Sequence, residues 1–215
     1  MRLVLLGPPG AGKGTQAVRI AKAFGLLHLS SGDILRAERK AKTELGRKAQ
    51  DYMDRGVLVP DDLILSMMMD HIARPGAAQG ALLDGFPRTV AQAEGLDTRL
   101  AARGWKLDAV VNMEVDDADV TRRLTGRWSC PQDGRIYHEQ FSPPARKGIC
   151  DDCGAQLTRR KDDEPTVVRQ RLETYHAETE PLVAYYRGRS ILKSVDAGGS
   201  VDQVTAAIKE ACRGL

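Results

Sequence analysis

Apolar residues along the chain gather into two kinds of run. Short, nearly continuous stretches occur at Leu3 to Leu6, Leu26 to Leu29, Ala81 to Leu83, Ala109 to Val115 and Ile191 to Val195. They lack the alternation of a half-solvated strand, which predicts strands of a parallel sheet covered on both faces. Between them, apolar residues recur at helical spacing. Thr15 to Phe24 carries Val18, Ile20, Ala21 and Phe24. Asp61 to Ile72 follows Pro60, opens with two acidic residues that suit a helix N-terminus, and stops at Pro75-Gly76. Asp117 to Leu124, Thr166 to Arg187 (with a break expected near Pro181) and Val201 to Cys212 also read as helices. Strands alternating with helices predict an α/β fold, a five-stranded parallel sheet flanked by helices.

Two segments break the alternation. Residues near 30 to 60 are helical and polar and offer no strand. Residues 127 to 163 change composition, with Trp128, Pro131, Pro143-Pro144, several glycines and three clustered cysteines. A stretch of that length exceeds an ordinary connection and reads as an inserted subdomain. The 215 residues suit one domain with such insertions. Composition changes the picture little: 42% hydrophobic and 28% charged residues are ordinary for a soluble globular protein. A net charge of +3 argues against a nucleic-acid partner for the molecule as a whole. The opening apolar run is too short for a signal segment, and no stretch approaches the roughly 20 apolar residues that span a bilayer. A soluble, cytoplasmic protein with no membrane partner is expected.

The candidate chemistry sits at strand ends. Gly7-Pro8-Pro9-Gly10-Ala11-Gly12-Lys13-Gly14-Thr15 follows the first strand and opens the first helix. Glycines let backbone N–H groups turn toward one point, the helix terminus adds partial positive charge, and Lys13 brings a full one, so the segment reads as a phosphate cradle. Gly14 follows the lysine and the hydroxyl comes one residue later at Thr15, which suits a phosphate contact better than a metal bond. Ala81 to Asp84 is an apolar strand ending in a carboxylate at the edge where open α/β sheets bind ligands. Asp84 is therefore a candidate for organising Mg²⁺ and its waters, and Arg88 for gripping a phosphate bidentately.

These motifs occur in order with Ser31-Gly32-Asp33 and Arg36, with Asp84-Gly85-Phe86-Pro87-Arg88-Thr89 and Gln92, and with Arg159-Arg160-Lys161-Asp162-Asp163. Together they closely resemble the adenylate kinase family in its bacterial, long-lid form, from the first residue to the final helix. The resemblance implies a P-loop nucleoside monophosphate kinase with a core of residues 1–29, 60–126 and 164–215, an AMP-binding subdomain of 30–59 and a lid of 127–163. It implies that Gly10, Ala11, Gly12, Lys13, Gly14 and Thr15 hold the phosphates of ATP. Arg123, Arg127, Tyr137, His138, Phe141 and Gly199 would complete the ATP site. AMP would lie against Ser31, Arg36, Val57, Leu58, Val59, Gly85, Phe86, Arg88 and Gln92, with Gln92 reading the adenine edge. Arg160 and Arg171 would close over the transferring phosphoryl. Lys13, Asp84, Arg88, Arg123, Arg160 and Arg171 form the implied catalytic set, Mg²⁺ travels with ATP, and the protein is expected to be a monomer.

The reaction so implied, ATP + AMP = 2 ADP, suits the residues. The second pKa of a phosphate monoester lies near 6, so the acceptor is already anionic and needs no general base. None is offered: there is no His-Arg-Asp catalytic loop. Three readings compete with ATP:AMP transfer. One is a GTP:AMP phosphotransferase, which also has a long lid. Another is a UMP/CMP-type kinase, usually short-lidded. The last is a non-catalytic module that binds partners through its Cys-rich lid.

Cys130-x₂-Asp133 and Cys150-x₂-Cys153 form two spaced pairs with metal-site spacing. Many lids of this family carry four cysteines. Here Asp133 takes the second position, so the expectation is a structural Zn²⁺ held by Cys130, Asp133, Cys150 and Cys153. A metal-free lid, a Cys150–Cys153 disulfide, or His138 in place of Asp133 remain open. Cys212, on the last helix, reads as a small buried residue.

Overall fold

A computed structural model describes residues 1–78 and 80–215. In chain order the elements are β1 (Arg2–Leu6), α1 (Lys13–Phe24), β2 (Leu27–Ser30), α2 (Ser31–Lys40), α3 (Glu44–Arg55), α4 (Asp61–Ile72), α5 (Pro75–Ala78), β3 (Ala81–Asp84), α6 (Val90–Ala101), β4 (Ala109–Glu114), α7 (Asp117–Thr125), β5 (Arg127–Ser129) and β6 (Ile136–His138). A 3₁₀ turn (Lys161–Asp163), α8 (Pro165–Thr174), a π-helical turn (Tyr175–Thr179), α9 (Pro181–Gly188), β7 (Leu192–Asp196) and α10 (Val201–Ala211) complete it.

The main sheet has five parallel strands in the order β2-β3-β1-β4-β7. Alternate residues of the central strand feed two separate cores. Leu3 and Leu5 join Ala17 and Ile20 of α1 and Val204 and Ile208 of α10 on one face. Val4 and Leu6 join Met68 of α4, Leu96 of α6 and Tyr186 of α9 on the other. Burial on both faces is why the strands read as continuous apolar runs. Each of the five expected strands forms, with ends displaced by at most one residue or so. Cys212 is buried at the end of α10, as expected. Among the described residues no helix is long and apolar enough to cross a membrane.

The helices depart from expectation in three places. Helix α6 has no counterpart in the apolar pattern. Its signals were Thr89, whose side chain accepts a hydrogen bond from Gln92 N, and the buried row Ala93, Leu96 and Leu100. Gly95 dilutes the helical pattern, yet a Cβ there would meet Leu65 Cδ2 at 2.4 Å, so the close approach of α6 to α4 requires it. The expected long helix of 166 to 187 is instead α8, the π-helical turn and α9. Pro181 stands at the first turn of α9, where its missing N–H leaves no intrahelical bond unmade. Finally, α4 ends at Ile72, and Pro75 opens the short α5 rather than simply stopping a helix.

The polar segment between β2 and α4 is a helical hairpin, with α2 and α3 packed on each other. Thr43 caps α3 by accepting from Gly46 N at 3.0 Å. The segment after α7 is a small two-stranded antiparallel ribbon, with Trp128 opposite Tyr137. Isolated bridges Ser129–Thr158 and Ile149–Gln156 extend it. Cys130, Tyr137, Cys150 and Leu157 make its own miniature core.

Gly46 sets the spacing of the hairpin. A Cβ there would lie 2.2 Å from Glu38 O and 2.6 Å from Arg39 N, backbone atoms that cannot rotate away. Alanine would gain about 1 kcal/mol of helix propensity, while overpacking costs about 1–3 kcal/mol. With backbone on the receiving side the upper end applies, so Gly46→Ala is expected to lower the melting temperature by several degrees. An unchanged or raised melting temperature by calorimetry would refute this.

Candidate active site

The carboxyl edge of the sheet gathers the functional groups. Register places Asp84 of β3 beside Leu5 of β1 and Ser30 of β2. The glycine loop after β1, the turn after β3 and the start of α2 therefore meet at one edge. Gly10 has φ of 84°, and a Cβ there would meet Leu124 Cγ of α7 at 2.9 Å, so only glycine fits the loop at this point. Gly12 caps α1 with no side-chain hydrogen bond, which leaves the first N–H groups of the helix directed at the loop's hollow. Gly14 and Thr15 are exposed and Ala11 is buried under the loop.

Lys13 folds back on this loop, donating to Gly7 O at 2.7 Å and Pro8 O at 2.8 Å. Burial lowers its pKa to about 7; Asp84 opposes that shift, and Arg88, Arg171 and Arg127 reinforce it. Asp84 is buried, 3.4 Å from His28 Nε2, with Gly14 against its Oδ2. It thus stands beside the phosphate loop, as expected.

A pocket adjoins the loop between the hairpin and the sheet edge. Leu35, Met53, Val57, Leu58, Val59 and Ile64 line it together with the charged Arg36, Arg88, Arg171 and Asp162. Ser31, Gly85 and Gln92 also line it. Ser31 Oγ donates to Gly85 O at 2.6 Å, and Arg88 Nε donates to the same carbonyl at 2.7 Å. Gln92 is buried, with Oε1 accepting from Arg88 N at 2.7 Å and Nε2 donating to Asp61 Oδ1 at 2.6 Å. Burial and the facing Arg171 hold Arg88 down to about 10. Burial, Arg36 and Arg127 do the same for Arg160. These mutual shifts record how closely the guanidinium groups converge.

Carboxylates and carbonyls hold the arginines in place. Arg127 makes a bidentate pair with Asp163, at 2.8 and 2.5 Å. Arg171 donates to Asp162 O at 2.8 Å and lies 3.1 Å from Asp162 Oδ2 and 3.3 Å from Asp163 Oδ1. Arg36 pairs with Asp33 at 2.5 Å. Arg123, in the last turn of α7, donates to Ala197 O at 2.9 Å and so reaches the loop that carries Gly199 two residues on. Sequence reasoning gave Asp162 and Asp163 no task, although two adjacent acids after two arginines were the available signal.

Three of the expected residues have buried side chains. Phe86 is fully buried in the core and does not line the pocket, because its strand end packs inward beneath the turn. Tyr137 is buried in the ribbon's interior, where its hydroxyl accepts from Asp151 N at 2.8 Å and meets Cys150 Sγ at 3.4 Å. His138 is buried as well: Nδ1 accepts from Gln140 N at 3.0 Å and Phe141 N at 3.2 Å, which leaves the proton on Nε2, 3.3 Å from Arg122 O. It fastens the ribbon to the end of α7, and a Cβ on Gly126 would collide with it at 2.4 Å. Phe141 alone of the three ribbon residues is exposed, its ring stacked on His138 at 4.4 Å.

At the far end of the ribbon, one ligand atom each from Cys130, Asp133, Cys150 and Cys153 lies within 4.8 Å of the others. Cys130 Sγ and Cys153 Sγ are 3.3 Å apart, and Cys150 Sγ is 3.1 Å from Asp133 Oδ2. A tetrahedral site with Zn–S bonds of about 2.3 Å needs ligand separations of about 3.8 Å, so small adjustments suffice. The N–H of Arg135, at 2.8 Å, holds the Asp133 carboxyl well below the usual carboxylate range, assisted by the thiols. All four cysteines are free thiols, and His138 is engaged elsewhere.

Residues 5–191 match the sequence model of a protein family described as "Adenylate kinase". The chain is 50% identical over 211 residues to an adenylate kinase of Carboxydothermus hydrogenoformans, covering 98% of this chain and 99% of that protein. It is 49% identical over 208 residues to one from Lachnospira eligens, covering 97% and 98%. It is 47% identical over 214 residues to one from Streptomyces avermitilis, covering 99% and 97%.

The state of Lys13 makes a thermodynamic prediction. An amine with a pKa of about 7 is mostly neutral at pH 8, and a bound polyphosphate restores its charge. Binding metal-free ATP, whose phosphates are already almost fully ionised at pH 8, should therefore take up close to one proton, and the uptake should fade as pH drops below about 7. Calorimetry in two buffers of different ionisation enthalpy reads this directly, and equal heats in both would contradict it. For the cysteine cluster, purified protein should carry close to one equivalent of zinc, and chelation should lower its melting temperature. Protein with less than a few tenths of an equivalent, or melting unaffected by chelator, would dismiss that site.

Proposed function

The chain belongs to the adenylate kinase family and catalyses ATP + AMP = 2 ADP; we propose how its own residues carry that reaction. The observation that supports the assignment is the sharing of one guanidinium cluster by two anion sites. Lys13 feels Arg88, Arg171 and Arg127, while Arg88 feels Arg171 and Arg36. One site is the glycine loop and the other is the neighbouring pocket, whose lining includes Arg36, Arg88 and Arg171.

In this reading the ATP phosphates lie on the loop, over the N–H groups at the start of α1, and draw Lys13 away from Gly7 O and Pro8 O. AMP enters the pocket with its phosphate against Arg36, Arg88 and Arg171, and its base between Leu35, Met53, Val59 and Ile64. Gln92 then meets the base edge. The AMP phosphate attacks as an anion, so the protein transfers no proton at that oxygen. Its contribution is to align donor and acceptor and to stabilise the charge spread over the moving phosphoryl. Arg123, Arg127, Arg160 and Arg171 surround that group. Asp84, at the loop's edge, would hold the waters of Mg²⁺, which neutralises phosphate charge. Cys130, Asp133, Cys150 and Cys153 would hold Zn²⁺ as a structural staple, since the ribbon's own core is only a few residues.

The moving parts in this reading are residues 30–59 over AMP and 127–163 as a lid over ATP, hinged on a core of 1–29, 60–126 and 164–215. Closing them excludes water, which would otherwise hydrolyse the donor. The reading takes the enzyme to be a cytoplasmic monomer without nucleic-acid or membrane partners.

Coupled measurement of ADP formed from ATP, AMP and Mg²⁺ is expected to show turnover, with ATP preferred over GTP as donor. Arg88→Met should lower kcat by about 10³-fold or more, the scale of an arginine acting on transferred phosphoryl. Circular dichroism should show its fold unchanged. Activity within tenfold of the parent protein would remove Arg88 from the proposed machinery.

A further inference from the structure

We propose that Asp61 is a specificity-determining positioning residue: it locks the Gln92 amide in the one orientation that accepts adenine and rejects 6-oxopurines. The proposal rests on the reading that Gln92 faces the base of the bound monophosphate.

Gln92 has two partners of opposite and fixed character. The Arg88 backbone N–H can only donate, and it meets one end of the amide at 2.7 Å. The Asp61 carboxylate can only accept, and it meets the other end at 2.6 Å. The oxygen must therefore face Arg88 and the nitrogen must face Asp61, so the identity of the two atoms is dictated by chemistry. Asp61 is itself held. Thr89 Oγ donates to its other oxygen at 2.9 Å, and the same hydroxyl accepts from Gln92 N at 3.1 Å. Asp61 is also the first residue of α4, where the helix dipole favours a negative charge. Arg88 is fixed in turn through Nε to Gly85 O at 2.7 Å.

A primary amide has two N–H donors and two oxygen lone pairs. The lock uses one of each, leaving one N–H on Nε2 and one lone pair on Oε1 for a ligand. Adenine offers the matching pair, an acceptor at N1 and a donor at its 6-amino group. Hypoxanthine and guanine offer the reverse, a donor at N1–H and an acceptor at O6. Binding them by the same edge would require the amide to rotate by half a turn. That rotation would put Oε1 against the Asp61 oxygen and the NH₂ against the Arg88 N–H. Gln92 is buried, so neither clash can be relieved by water.

The test compares AMP with IMP, which lacks the extra 2-amino group of GMP, as acceptors with Mg-ATP as donor. Asp61→Asn keeps the shape but can accept from or donate to Gln92, so one half of the lock becomes indifferent while Arg88 N–H retains the other. The AMP-over-IMP ratio of kcat/KM should fall by about tenfold, the scale of one buried unmatched partner. The loss should be carried by the KM of the monophosphate rather than by kcat. Both acceptors are measured on one preparation, so a partly inactive variant leaves the ratio intact, and equilibrium dissociation constants for AMP and IMP give the same ratio independently. If Asp61 serves structure alone, both acceptors change in proportion, and an unchanged ratio overturns the proposal. Gln92→Ala separates the two layers. A collapsed ratio in Gln92→Ala with an intact one in Asp61→Asn sinks the lock and spares the base reading. An intact ratio in Gln92→Ala sinks both.

Discussion

Crowding of positive charge at the carboxyl edge of the sheet is the constraint on which the rest of the molecule depends. Lys13, Arg88, Arg160 and Arg171 are each shifted downward, with burial the leading cause and neighbouring guanidinium groups among the others. Like charges this close would push apart if they stood on flexible loops. Here they are tied to rigid neighbours. Arg88 holds a carbonyl of its own turn, Arg123 holds the loop before α10, and Arg127 and Arg171 hold Asp163 and Asp162. The guanidinium part of the positive field is thus held in place by partners before any phosphate arrives, which limits the side-chain reorganisation left for the moment of reaction.

The sheet makes that assembly possible. Alternate residues of β1 feed two cores on opposite faces, so the strand can neither slide nor rotate without exposing one of them. Its end therefore delivers Gly7 to a fixed point, with Asp84 and Ser30 beside it in register. The helices around the sheet carry the candidate site residues at their termini: Lys13 begins α1, Ser31 begins α2, Asp61 begins α4 and Arg123 lies in the last turn of α7. Apolar burial thereby fixes the positions of polar chemistry that takes no part in the core.

The five strands and most of the helices were legible because two-faced burial writes itself as apolar runs and helical stripes. Helix α6 was not, because its inward row is partly alanine and its crossing point is Gly95, which packing demands and periodicity reads as a break. The phosphate loop was legible because backbone approach to an anion forces glycine at fixed positions. The arginines could be assigned by resemblance, but the acids that hold them could not, since Asp162 and Asp163 look like any solvated pair until the chain folds over them. The local partners of Tyr137 and His138 were not legible for a related reason. A ribbon with so small a core spends its polar aromatic residues on itself, with the Tyr137 hydroxyl on the chain beside Cys150 and the His138 ring on the turn it closes. Resemblance transferred their place in the chain, whereas the direction of each ring depends on which local N–H and thiol groups need partners.

The acids facing the arginines also explain how one pocket can be both stable and receptive. Asp33, Asp162 and Asp163 neutralise guanidinium groups that would otherwise be buried unpaired, an arrangement costly enough to unfold a local segment. A carboxylate carries one charge and two oxygens, whereas a phosphate brings more charge and three oxygens that can accept from several donors at once. The free pocket therefore rests in a paired but improvable state. Arg36, paired with the partly exposed Asp33, and Arg171, shared between two acids, can turn to a phosphate without leaving a buried charge alone. Arg127, held bidentately on the buried Asp163, is the least free to turn, and in the proposed closure it would travel with its carboxylate as one unit of the lid.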